Sequence, residues 1–221
     1  MSIYQYVYIG LYGVMLVSYL LVETGSSIRI RAANKIVMAA LFLLYGLVQF
    51  VRGGAPESAM LGMGGLALAF LGDVLLLWSF SLGGVAFSAA NLFFIAQTVC
   101  RLALGPEGRG GGWWALLPGV ALYGMFQLGR KKGFLQLRKY DGRMQAYLAV
   151  VTVDGVLGLW MALTRGGTGE LLMGLGLTLF MLSDYFITLH KFAREPKDRH
   201  LRANSFTYFV GMLLVSLSMG F

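Results

Sequence analysis

Eight apolar stretches of bilayer-crossing or nearly bilayer-crossing length follow one another through this 221-residue chain. They fall at about 4–23, 35–51, 59–80, 83–104, 112–128, 144–163, 170–190 and 204–221, each bounded by charges or by Gly/Pro clusters. The pattern predicts an all-α fold, a polytopic membrane bundle of eight transmembrane helices. Composition agrees, with 57% hydrophobic and 13% charged residues and a mean hydropathy of +0.71. The connections are too short to fold by themselves, so one integral membrane domain covers 1–221. The runs at 35–51 and 112–128 are nearest the lower length limit. The first run has no basic leader and no small-residue cleavage site, so it is expected to remain as a helix. Cys100 is the only cysteine, which excludes an internal disulfide and a thiolate metal site.

The charges are distributed unevenly along this pattern. Of 18 Lys and Arg residues, 14 fall in the connections after the first, third, fifth and seventh helices: Arg29, Arg31, Lys35, Arg130, Lys131, Lys132, Arg138, Lys139, Arg143, Lys191, Arg194, Lys197, Arg199 and Arg202. The opposite face has only Arg52, Arg101, Arg109 and Arg165. Positive-inside bias therefore places the basic loops in the cytoplasm and both termini outside it, in a multipass protein of the cell membrane. The net charge of +8 flanks membrane helices, so it reads as topology and lipid headgroup contact, not nucleic-acid binding. Trp78, Trp113 and Trp114 fit interfacial anchoring or ordinary packing. Glycines inside the spans, as in GMGG at 62–65 and GLG at 174–176, predict close helix packing. The glycine run at 110–112 and the segment ALTRGGTGE read as flexible outer loops. The segment RKKGFLQLRKYDGR reads as lying on an anionic leaflet or as a solvated loop.

Two carboxylates stand inside apolar runs, Asp73 in GLALAFLGDVLLLWSF and Asp184 in TLFMLSDYFITLHKF. A charge at such depth is costly without a partner or a wet cavity, so each marks a candidate functional position. Each lies about fourteen residues into a helix descending from the outer face, hence roughly 21 Å down a core of about 30 Å. Asn91 and Tyr208 reach a similar level from the opposite direction, and Lys35 stands near the inner start of the second helix. The Leu-Gly-Asp and Leu-Ser-Asp segments hint at an internal repeat. Three uses remain open for the pair: acid/base chemistry, a proton or cation site, or hydrogen-bond anchoring between helices. Asp154 in VVTVDGVLG is a third intramembrane acid, a site member or an anchor beside Thr152. Glu23 and Glu170 fall at helix ends and are expected at the interface. His190 and His200 lack metal-ligand spacing, and Ser183 has no histidine nearby to serve as base, so neither a metal nor another cofactor is expected.

The segments AFLGDVLLLW, FSAANLFFIA, TLFMLSDYFITLHKF and NSFTYFVGMLL, in this order within eight helices, resemble the YhhN-like lysoplasmalogenase family of multipass membrane hydrolases. The resemblance spans nearly the whole chain and rests chiefly on the GD and SD motifs. It implies a hydrolase that cleaves the vinyl ether bond of a lysophospholipid substrate, giving a fatty aldehyde and a glycerophospho-base. It also implies Asp73 and Asp184 as the catalytic pair. Vinyl ether hydrolysis needs protonation at carbon and then water attack on an oxocarbenium ion, and two carboxylates without a metal can supply both. Asp184 is taken as base and Asp73 as acid, although the two can titrate as one unit. Lys35 is a candidate for the substrate phosphate. Asn91 and Tyr208 are candidates for orienting water or the glycerol hydroxyl.

The chain departs from the family pattern at several positions: Asn91 replaces a His, Phe94 a Tyr, Ile36 the Pro of a Lys-Pro pair, and Met212 a Gln. These departures motivate a non-catalytic lipid-binding relative as one alternative, beside a proton- or cation-coupled carrier built on the same acids. Membrane lipids are the expected surroundings. Headgroup preference and oligomeric state leave no mark on the sequence.

Overall fold

Every apolar run becomes a helix in the computed structural model of the chain, which describes residues 3–54, 57–104 and 112–221. The helices are α1 (Ile3–Val22), α2 (Ile28–Arg52), α3 (Glu57–Leu76), α4 (Phe80–Leu104), α5 (Leu116–Lys131), α6 (Asp141–Arg165), α7 (Thr168–Phe192) and α8 (Asp198–Ser218). Arg109 and residues 110 and 111 of the glycine run lie outside the described residues. Among the described residues six helices, α1 to α4, α6 and α7, are long and apolar enough to cross a membrane. The expected count was eight. α5 has only 16 residues, and α8 opens with Asp198, Arg199, His200 and Arg202, which dilute its apolar stretch.

Helix ends depart from the apolar windows for local reasons. α2 begins at Ile28, seven residues ahead of its window, because the Ser27 hydroxyl accepts the Ile30 N–H at 3.5 Å. The added turns carry Arg29 and Arg31 and make Lys35 a helical residue. α3 ends at Leu76 although Leu77 and Trp78 are apolar; Trp78 is 77% exposed in a turn. Ser79 then accepts the Leu82 N–H at 3.4 Å and starts α4. The segment ALTRGGTGE is not a loop. Gly166 ends α6 with a left-handed φ of 67°, which suits glycine, and α7 begins two residues later. Trp113 and Trp114 are exposed and stacked at 4.1 Å, as interfacial anchors would be.

Six helices close into a ring. In order around it, α2 packs on α3, α3 on α4, α4 on α6, α6 on α7, α7 on α8, and α8 back on α2. α1 lies outside against α2 and α8, and α5 lies outside against α6. The first four helices and the last four thus repeat one packing order, each half with a peripheral first helix and an acid-bearing third. This gives the hinted repeat a structural counterpart. Gly176 and Gly211 let α7 and α8 touch: a Cβ on Gly176 would stand 2.7 Å from the Gly211 carbonyl oxygen. The outward faces are apolar. On α1, Val7, Leu11, Val14, Val17 and Leu21 are all exposed, as a lipid-facing surface requires.

The segment RKKGFLQLRKYDGR is tied into the bundle. Gln136 N–H donates to the Phe192 carbonyl at 2.7 Å, and Arg194 N–H to that of Phe134 at 2.9 Å. Leu135 and Leu137 are buried, while Phe134 remains half exposed. Two of its four apolar side chains are therefore buried and Tyr140 packs against the same core, so a free solvated loop does not describe it.

Candidate active site

Asp73 stands 16 residues after Glu57 in α3 and Asp184 16 residues after Thr168 in α7, about 24 Å along each helix at 1.5 Å per residue. α3 and α7 are separated within the ring by α4 and α6 on one side and by α2 and α8 on the other. Both aspartates nevertheless line one cavity of about 470 Å³. Its walls come from the C-terminal parts of α1, α3 and α7 and the N-terminal parts of α2, α4, α6 and α8, so it occupies the end of the bundle that carries the basic connections.

Each aspartate has its own set of donors. The Lys35 ammonium lies 3.0 Å from Asp73 Oδ1, and the Tyr208 hydroxyl donates to Asp73 Oδ2 at 2.6 Å. Asp73 is 1% exposed. A carboxylate removed from water to this degree is tolerable because both of its oxygens are engaged, one by a full charge. Asp184 receives one donor, the Tyr147 hydroxyl, at 2.8 Å to Oδ2. Tyr208 is held by ring contacts: its centroid is 5.9 Å from that of Phe87 and 5.6 Å from that of Phe180, which are 6.0 Å from each other. This aromatic group forms part of the apolar cavity wall.

Of the residues proposed from sequence, Lys35, Asp73, Asp184 and Tyr208 meet in the cavity wall. Asn91 and Asp154 are not among the cavity residues. Asn91 donates to the Phe87 carbonyl of its own helix at 2.7 Å, as a polar side chain does when no ligand faces it. Asp154 is buried, and neither carboxylate oxygen has a hydrogen-bond partner among the described residues. Thr152, its expected companion, bonds instead to the Leu148 carbonyl and the Tyr185 hydroxyl. Asp154 is thus neither a cavity member nor a hydrogen-bonded anchor. Ser183 donates to the Phe180 carbonyl of its own helix.

Two cavity groups escaped the sequence. Tyr147 is one tyrosine among 11, and only its position nearly two turns into α6 brings it to Asp184. Glu23, expected at a wet interface, is 3% exposed just beyond α1 and lines the cavity. It accepts hydrogen bonds from Tyr19, at 3.1 Å, and from Ser205. Burial pushes its carboxyl above the usual Glu value, against the opposing pull of those two donors and of Lys35. Glu170 does lie at the other end of the bundle, half-buried with Arg101 at 3.9 Å.

A model of the YhhN family matches residues 30–219. The chain belongs to the YhhN family. No solved structure matches this YhhN protein. Asn91, Phe94 and Met212, read from the sequence as departures from the family pattern, are fully packed side chains outside the cavity wall. Lys35, the retained half of the altered pair, is inside it.

Proposed function

We propose that this YhhN protein is an intramembrane hydrolase that cleaves the vinyl ether bond of lysoplasmalogen-type lysolipids. The observation that carries the reading is the placement of two carboxylates from separate helices in one cavity, each held by a tyrosine hydroxyl and one also by a lysine. Family membership supports it.

The chemistry adds one water across the bond. A proton is delivered to the enol ether carbon distant from oxygen, leaving an oxocarbenium ion; water then adds, and the hemiacetal collapses to a fatty aldehyde and the free glycerol hydroxyl. A proton donor and an anion are both needed. Asp73, with an ammonium on one oxygen and a hydroxyl on the other, is suited to remain an anion that offsets the cation and accepts a proton from water. Asp184 has one donor and an oxygen left for a proton, which suits the acid. This division reverses the sequence-based assignment, which had no view of Lys35 beside Asp73. With the basic loops in the cytoplasm, the cavity opens toward the inner leaflet of the cell membrane and both termini lie outside.

The test is aldehyde release from a purified lysoplasmalogen by the full-length protein in detergent. Turnover is expected, and its loss in Asp73→Asn and Asp184→Asn with the fold intact. A correctly folded wild-type protein that releases no aldehyde would reject the reading.

A further inference from the structure

We propose that the gap between α4 and α6 is a side entrance through which a single-chain phospholipid enters from the membrane, with its alkyl chain seated between the two helices and its phosphate on Arg143. The proposal rests on the lipid-hydrolase reading for its choice of occupant, but the entrance follows from the wall itself. Val85 of α4 lines the cavity and is 69% exposed on the outside of the bundle. Ala146 and Arg143 of α6 also line the cavity and are exposed. A side chain can belong to both surfaces only where the wall is open. Gly84 and Ala146, facing the opening from either side, leave width for a chain.

The chemistry changes along the opening. At its outer rim, next to the basic connections, the Arg143 guanidinium donates to the Ser81 hydroxyl across the gap at 3.4 Å. Arg143 has no carboxylate partner among the described residues, so most of its N–H donors remain for an anion. One turn or more inward, Val85 and Val150 replace these polar groups, and the exposed face beside them carries Leu82 and Val153. A fixed cation at the headgroup level with an apolar slot above it complements a phosphate joined to one alkyl chain. Two-chain lipids need twice the slot. The Arg143–Ser81 bond is weak enough in geometry to open for the incoming phosphate.

Binding of a non-hydrolysable, saturated alkyl-ether lysophospholipid to the full-length protein in detergent tests this without requiring turnover. Arg143→Ala should weaken binding about tenfold, and should leave the phosphate-free monoalkylglycerol of the same chain length unchanged. Ala146→Trp, which fills the slot, should weaken both ligands, whereas Val120→Trp on the lipid-facing surface of α5 should affect neither. Ser81→Ala separates ligand contact from a structural latch: it should leave phospholipid binding equal or tighter, while a latch role would make it as harmful as Arg143→Ala. Glycerophosphate should not compete at the same concentration. Competition by glycerophosphate, or unchanged binding in both Arg143→Ala and Ala146→Trp, would overturn the entrance. Absence of aldehyde release with these binding shifts present would sink the hydrolase reading and leave the entrance standing.

Discussion

The two halves of the ring place an aspartate at the same point of the third helix and then surround it differently. In α1 to α4 the neighbouring second helix sends an ammonium, Lys35, to Asp73. In α5 to α8 the corresponding helix, α6, sends a phenol hydroxyl, Tyr147, to Asp184. Tyr208 then crosses from the second half to Asp73, giving the first acid two donors and the second one. A repeated scaffold with unequal partners is a direct way to make two like residues behave unlike one another, because the scaffold fixes position and the partner fixes the favoured charge. The comparison suggests that the asymmetry, and not the aspartates alone, sets the division of labour.

The largest effect should come from removing either acid. Asp73→Asn and Asp184→Asn are each expected to lower kcat for vinyl ether cleavage by roughly 10²–10⁴-fold, the range of general acid–base contributions. If the proposed pair works as a unit, the double variant should lose little more than the worse single one. Aldehyde release measures all three, and additive losses would mean that the two acids act separately.

Next in size is a stability difference between the halves. Lys35→Met leaves Asp73 buried beside a single neutral donor and should cost about 3–5 kcal/mol. Tyr147→Phe removes one hydrogen bond from Asp184 and should cost about 1–2 kcal/mol. Thermal unfolding of both variants in one detergent compares them, and the double variant Lys35→Met, Asp73→Asn should recover most of the first loss. Equal costs for the two single variants would remove the asymmetry. A smaller, catalytic contrast follows from Tyr208→Phe and Tyr147→Phe, the latter expected to reduce kcat about tenfold in the aldehyde-release assay. Tyr208→Phe should do less, because Lys35 still holds Asp73.

What the sequence made legible and what it hid divide along physical lines. The helices, their order and the two acids were readable because hydropathy reports burial in lipid and a carboxylate inside an apolar run is exceptional. Lys35 and Tyr208 were readable by counting residues along helices, since depth follows from rise per residue. Rotation about the helix axis was not. Asn91 shares the depth of the site but turns to its own helix at Phe87, and Asp154 lies outside the cavity altogether. Tyr147 was invisible for the converse reason: one more tyrosine in an aromatic-rich chain carries no signal until α6 packs on α7. Glu23 was misplaced because a helix end in sequence looks solvated, whereas α8 covers this one with Ser205. The contiguous apolar run across Leu77 and Trp78 likewise hid a turn, as hydropathy cannot separate a helix from a bilayer-facing bend.

The smallest expected effect concerns Glu23, a third carboxylate that has no counterpart in the second half of the repeat pattern. Because burial raises its proton affinity, the folded protein holds the Glu23 proton to higher pH than the unfolded chain does. Its contribution to stability is therefore fully present below the ordinary Glu value of 4.5 and is lost as pH rises from there through the raised folded value. Glu23→Gln keeps an acceptor for Tyr19 and Ser205 and removes the titration. The variant should match the wild type in acid and exceed it at neutral pH by on the order of 1 kcal/mol, a few degrees of unfolding temperature. Unfolding curves of the two proteins across that pH range measure the difference, and aldehyde release should stay within about threefold of the wild type if the two aspartates carry the chemistry. A stability difference independent of pH would show that Glu23 titrates alike in the folded and unfolded chain. A collapse of activity would make it a third member of the acid group and end the comparison between two halves.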